Sequence, residues 1–175
     1  MSHSRNHRLF FALQPDDAVR RQVSAVQQEC GAQGRAVPPA NFHVTLAFLG
    51  MQEADVIPRV CEVASGLTFE PCEVTLDQLG RFKRAGVLWL GASYIPESIL
   101  AFQHDLVSGL LAAGIGYDRK PWKLHLTLYR KMRTAPPTID PMAIRWRLDG
   151  FSLVESVSVN RGVEYHDIAS WTDAG

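Results

Sequence analysis

The sequence predicts an α+β fold of two pseudo-symmetric lobes, each a sheet lining a central cleft, with helices on the outside. Two observations carry this prediction. Short β-branched and aromatic runs alternate with stretches whose apolar residues recur every three or four positions, so strands and helices both occur. The order strand, helix, histidine strand also occurs twice, and each time it ends on one phrase. That phrase is His43-Val44-Thr45-Leu46 and, 82 residues later, His125-Leu126-Thr127-Leu128. Little else is identical between the halves, so the repeat is architectural. Residues 1–175 are expected to form a single bilobal domain.

The elements follow in order. Leu9-Phe10-Phe11-Ala12-Leu13 reads as a buried strand. Pro15 and Asp16 open a helix with the stripe Val19, Val23, Val26 and Cys30, which Gly31 and Gly34 end. Pro38-Pro39 and Asn41 lead stiffly into the first histidine strand, which Gly50 closes. Val56, Val60 and Val63 mark a second helix, with Pro58 in its first turn, where a missing N–H costs little. Phe69 to Leu79 reads as extended. Gly80 to Gly86, holding Arg81, Lys83 and Arg84, reads as a loop. Val87-Leu88-Trp89-Leu90 is a buried strand. Pro96 and Glu97 then start a helix faced by Ile99, Phe102, Leu106 and Leu110, stopping near Gly114 and Gly116. After the second histidine strand, Thr134 to Pro141 is a proline-rich loop, and Phe151 to Val159 and Val163 to Trp171 are the last strands.

Composition narrows the function. An apolar fraction of 46% and a charged fraction of 21% belong to an ordinary soluble globule. Eighteen basic and eighteen acidic residues cancel, so the chain is not a general polyanion binder, and any nucleic-acid recognition has to be local. Cys30, Cys61 and Cys72 form no C-x-x-C and read as neither a disulfide framework nor a zinc cage, which points to a reducing compartment. No run suggests a signal peptide or a membrane span, and no long apolar face stands out. A cytoplasmic monomer without membrane partner, metal or cofactor is expected.

The repeated phrase carries the chemistry. On a strand, residues i and i+2 share a face. Each copy therefore presents an imidazole and a hydroxyl together, with Val44 and Leu46, or Leu126 and Leu128, turned into the core. Phosphodiester hydrolysis needs a base to deprotonate water and an acid to protonate the departing oxygen. Imidazoles suit both jobs because their ordinary pKa lies near neutrality. Thr45 and Thr127 can donate hydrogen bonds to non-bridging oxygens, and their stiff χ1 suits a strand. Cation candidates for the phosphate are Arg130, Lys123 and Arg35. Strict alternation places Arg130 on the face opposite His125, so it reaches the phosphate only if the strand bulges or ends near Tyr129. Other residues read as peripheral: His104 solvated, His3 and His7 in a mobile terminus, His166 at an edge. Phe10, Phe11 and Trp89 read as core, although one ring could emerge to stack on a base.

With these residues in view, the chain resembles the two-histidine (2H) phosphoesterases. It is most similar to the bacterial and archaeal RNA 2′,3′-cyclic phosphodiesterases, long called 2′-5′ RNA ligases. The likeness runs from Arg8-Leu9-Phe10-Phe11-Ala12-Leu13 through Val37–Gly50, Val87–Gly91 and Lys120–Arg130 to Phe151–Ser156, Tyr165 and Trp171. It implies hydrolysis of a 2′,3′-cyclic phosphate at an RNA end, or of a small cyclic nucleotide, to the 2′-phosphomonoester. It implies His43 as proton donor and His125 as proton acceptor, with Thr45, Thr127 and Arg130 holding the phosphate. Two positions depart from the family pattern: Leu124 stands where proline usually precedes the second histidine, and Ala36 where an aromatic usually follows Arg35.

Other readings remain open at this point. The same groups could run in reverse and join RNA ends through a 2′-5′ linkage, and the cleft could bind a nucleotide or RNA without turnover. A metal-dependent hydrolase fits less well, because no carboxylate or cysteine clusters with the histidines.

Overall fold

The computed structural model describes residues 5–135 and 138–173, so His3, Pro136 and Pro137 lie outside the described residues. Among the described residues, ten strands and three α-helices follow one another as β1 (Asn6–Leu13), α1 (Asp17–Cys30), β2 (Arg35–Ala36), β3 (Val44–Glu53), α2 (Ile57–Ser65), β4 (Cys72–Leu76), β5 (Gln78–Phe82), β6 (Val87–Gly91), α3 (Glu97–Ala112), β7 (His125–Arg130), β8 (Ile144–Leu148), β9 (Gly150–Val159) and β10 (Gly162–Thr172). The fold is α+β with antiparallel pairing throughout. Eight strands form one sheet in the order β10-β9-β1-β3-β7-β6-β5, with β2 paired to β7, while β4 and β8 pair separately.

The two lobes are the two halves of the large sheet, and β3 pairs with β7 across their junction at one residue pair, Val44 with Leu126. Each of these residues follows its histidine directly. Antiparallel pairing of equivalent residues places the approximate two-fold axis between them. Both side chains are fully buried, in a main core filled by the stripes of α1 and α3 and by the inward residues of β4 and β8.

Caps and periodicity direct α1, and periodicity directs α3. The Asp16 carboxylate accepts a hydrogen bond from the Val19 N–H at 2.8 Å, and Gly31 ends α1 with φ 49°. Val19, Val23, Val26 and Cys30 are buried on α1, and Ile99, Phe102, Leu106 and Leu110 on α3. On β1 the two faces differ: Leu9, Phe11 and Leu13 join the main core, whereas Phe10 and Ala12 join a small cluster with Val154, Phe48 and Tyr165 on the cleft side.

The repeated phrase carries a repeated irregularity. Ala12 pairs with Thr45 and Phe11 with Ala47, so Leu46 is an extra residue in β3. Trp89 pairs with Thr127 and Leu88 with Tyr129, so Leu128 is an extra residue in β7. A bulge shifts the alternation by one. Leu46 and Ala47 both turn to the core, as do Leu128 and Tyr129. Phe48 and Arg130 thereby return to the face of the histidines. Each bulged carbonyl has a helix partner: Gln27 Nε2 donates to Leu128 O at 2.8 Å and to Val37 O at 2.9 Å, and Gln103 Nε2 donates to Leu46 O at 3.1 Å.

Several expectations are corrected. His7 is not in a mobile terminus: β1 begins at Asn6, and the His7 ring bonds Glu155 at 2.7 Å. Gly50 does not end its strand; with φ 68° it sits within β3 beside a second irregularity, opposite Leu9. Gly80 opens no loop. It lies mid-strand in β5 with the Trp89 ring laid across it, where a Cβ would collide with the indole. β8 is a strand that the prediction omits. Its Ile144, Trp146 and Leu148 are buried and alternate with the exposed Arg145 and Arg147.

Gln27→Met keeps the side-chain length but removes both donors. It is expected to lower unfolding free energy by ~1–3 kcal/mol in urea titration; an unchanged midpoint would show that the bulge needs no such partner.

Candidate active site

His43 and His125 open onto one cleft of about 720 Å³, lined also by Thr45, Thr127 and Arg130. This follows from the Val44–Leu126 pair. In that register His43 falls opposite Thr127, and Thr45 opposite His125. The four side chains share the face away from the core.

Each ring is oriented from behind in the same way. His43 Nδ1 donates to Asn41 O at 2.8 Å, and His125 Nδ1 donates to Lys123 O at 2.8 Å. With Nδ1 protonated, each neutral ring carries its lone pair on Nε2. His43 Nε2 accepts the Thr45 hydroxyl at 2.9 Å. Asn41 ends a 3₁₀ turn begun by Pro39, and its Nδ2 donates to Val163 O at 2.9 Å, which ties this support to β10.

Aromatic side walls hold both rings. Phe10 lies 4.9 Å from His43 and Tyr165 lies 5.1 Å from it, centroid to centroid. Phe82 meets His125 edge-on at 5.0 Å, with Trp89 at 6.4 Å. Burial among these groups pushes the His43 pKa down from 6.5 to about 4, and the positive charges of Arg130 and His125 push the same way. The His125 pKa is also lowered, first by burial and then by Arg130 and Lys123. Both imidazoles are therefore neutral at pH 7 in the free protein. A bound anion would reverse part of this shift.

The bulge at Leu128 corrects the expected position of Arg130, which faces the cleft with His125. At the equivalent position of the other lobe stands Phe48, and Arg8 supplies a cation there, its guanidinium 4.9 Å from the Phe48 centroid. Arg8 and Lys120 line the cleft and were absent from the sequence-based candidates. No pattern marks them, since their placement depends on β1 pairing with β3 and on the path taken before β7. Arg35 and Lys123 lie outside this cavity. Arg35 lines an adjoining groove beyond Arg130. The Lys123 ammonium lies 4.4 Å from the Trp89 centroid in a neighbouring pocket, and only its carbonyl touches a histidine.

A family model described as LigT like phosphoesterase matches residues 13–89, a stretch holding the first histidine phrase. An RNA 2′,3′-cyclic phosphodiesterase of Archaeoglobus fulgidus is 30% identical over 92% of this chain and 97% of its own. One from Escherichia coli K12 is 30% identical over 96% of this chain and 97% of its own. The crystal structure of E. coli LigT complexed with 3′-AMP superposes with a TM-score of 0.84, covering 96% of this chain and 98% of that one. The chain belongs to the LigT-like phosphoesterase family.

As a LigT-like phosphoesterase, the chain accommodates its two departures from the pattern away from the cleft face. Leu124 is buried in the main core, and Ala36 pairs with Tyr129 on the exposed strand β2. Cys30 is buried in the core and His104 is exposed, as their sequence contexts indicate. Among the described residues, no three histidine, cysteine or acidic side chains converge as a metal ligand set, and no helix is long and apolar enough to cross a membrane.

The lowered His43 pKa makes stability pH-dependent with a definite sign. The unfolded chain takes up this proton near pH 6.5 and the folded chain only near 4. The stability is thus complete above 6.5 and falls as pH drops toward 4. His43→Gln is expected to lose less stability over that window, by on the order of 2 kcal/mol. Parallel unfolding curves for both proteins across pH 4–7 would contradict the assignment.

Proposed function

We propose that the cleft hydrolyses 2′,3′-cyclic phosphodiester ends of RNA to 2′-phosphomonoesters, without a metal. The observation that carries this reading is the paired presentation of His43 with Thr45 and His125 with Thr127 on one face, beside Arg130. Relatives matching nearly the whole chain bear the name RNA 2′,3′-cyclic phosphodiesterase, which supports the substrate class.

In this mechanism His125 Nε2 accepts a proton from a water molecule as its oxygen bonds to phosphorus. The bond from phosphorus to the 3′-oxygen breaks in line. His43 Nε2 donates its proton to that oxygen, leaving a 3′-hydroxyl and a 2′-phosphomonoester. The Thr45 hydroxyl, released from His43 Nε2 once that nitrogen is protonated, turns with Thr127 toward the non-bridging oxygens. Arg130 offsets the charge building there. The phosphate itself provides the field that lets His43 hold a proton, because an anion between the rings favours imidazolium. Exchanging the histidine roles gives the same net reaction, and the family resemblance favours the order given.

His43→Ala and His125→Ala are each expected to lower turnover of a 2′,3′-cyclic-ended RNA by on the order of 10²–10⁴ without added metal. The product should retain phosphate on the 2′-hydroxyl; a 3′-phosphate or joined ends would contradict the assignment, as would full activity in both variants.

The electrostatics add a second expectation. The free protein needs one protonated and one neutral imidazole, and both pKa values lie below 6.5. The kcat/KM profile should therefore be a bell with its maximum below pH 6.5, and the kcat profile should lie to higher pH, because bound phosphate raises both values. Coincident profiles peaking above pH 7 would show that the free protein does not hold its histidines neutral.

A further inference from the structure

Beyond Arg130 the cleft continues into a groove of about 360 Å³ between β2, the end of β7 and the β9–β10 hairpin. Four cations line it: Arg35, Arg130, Lys131 and Arg161. All four are exposed, and among the described residues none is within 4.0 Å of a carboxylate oxygen. Val163 and Tyr165 line both the groove and the histidine cleft, so the two spaces share a wall. In a chain whose charges cancel overall, this is a local concentration of one sign. Like charges gathered without counter-charges repel one another, and an anion would relieve that repulsion.

Two details show the cluster to be built. β2 pairs Arg35 directly with Arg130, and the Arg35 guanidinium reaches the Arg161 carbonyl at 3.5 Å, bringing the hairpin tip to the strand. Lys131 has φ 56°, the one non-glycine residue among those described with positive φ. The Met132 N–H bonds Gly86 O at 2.9 Å just beyond it, which accounts for the sharp turn. Glycine would make that turn with less strain, yet the position carries a cationic side chain.

A nucleoside 2′,3′-cyclic phosphate bears one negative charge, which the histidine cleft with Arg130 already meets. The three further cations have nothing to bind in such a molecule. We propose that this groove binds the phosphodiester of the nucleotide preceding the cyclic end, so that the protein selects an RNA strand over a cyclic mononucleotide. The inference rests on the proposed activity and adds a second phosphate subsite to it.

The test compares adenosine 2′,3′-cyclic phosphate with an adenylate tetramer ending in the same group, at 50 and 200 mM salt. Proteins are the wild type, Lys131→Ala/Arg161→Ala, and Lys131→Gly as a variant that relieves backbone strain. For the double variant, kcat/KM on the tetramer should fall about 10-fold at the lower salt, and that on the mononucleotide should stay within about twofold. Its salt slope on the tetramer should be shallower by about 0.7, the value for one phosphate of single-stranded RNA. Lys131→Gly should lose tetramer activity without losing stability. Fluorescence anisotropy with labelled tetramer reads the groove independently of turnover, and the double variant should bind about 10-fold more weakly. Equal losses on both substrates, or unchanged tetramer kinetics and binding, would overturn the groove assignment. Altered inhibition by ATP with an unchanged tetramer preference would assign the cations to nucleotide polyphosphate and overturn it too. A wild type that binds tetramer but hydrolyses neither substrate would instead overturn the proposed activity.

Discussion

The site depends on one strand contact, the antiparallel pairing of Val44 with Leu126. It joins the two halves of the sheet and gives their histidines a common face. Because the paired residues occupy equivalent positions in the two phrases, one contact sets both histidine–threonine pairs in register. The contact is held by burial more than by backbone bonding. Val44 and Leu126 are fully buried, and each such side chain contributes about 1.5–3 kcal/mol. The junction is thus part of the main core, and the cleft is its opposite surface.

Two bulges complete that surface. At Leu46 and Leu128 the chain carries one residue more than its neighbour, and the shifted alternation brings Phe48 and Arg130 into the cleft. The lobes differ at this equivalent point: one carries a cation on its own strand, and the other a ring with Arg8 against it. This breaks the approximate two-fold symmetry of the cleft. The buried rings differ in the same sense. His43 is the more strongly depressed, and its Nε2 is occupied by Thr45, whereas His125 has Lys123 beside it.

Much of this was readable from the residues. The repeated histidine–threonine phrase was visible because a two-residue period survives in sequence, and the helices were visible because Asp16, Gly31 and their apolar stripes obey local rules. The bulges were not, because an extra residue in a ladder has no composition of its own; it exists only relative to the partner strand. Strict alternation alone therefore turns Arg130 away from His125, and only the bulge, one of the conditions under which it could reach the phosphate, brings it into the cleft. Gly80 was misread because a glycine that makes room for an indole looks the same in sequence as one that turns the chain. β8 escaped despite the alternation of Ile144, Trp146 and Leu148, because five residues after a proline-rich stretch are a weak signal. Arg8, Lys120 and the ring walls of Phe10, Tyr165 and Phe82 reach the cleft only through long-range pairing.

In the proposed mechanism two distant imidazoles address one phosphate. Inorganic phosphate titrated into the protein, with the His43 and His125 ring protons followed by NMR, tests this most directly. Both rings should shift along one saturation curve with a single Kd, and both pKa values should rise when phosphate is bound. A response from one ring alone, or two curves with different Kd values, would mean that the histidines belong to separate sites.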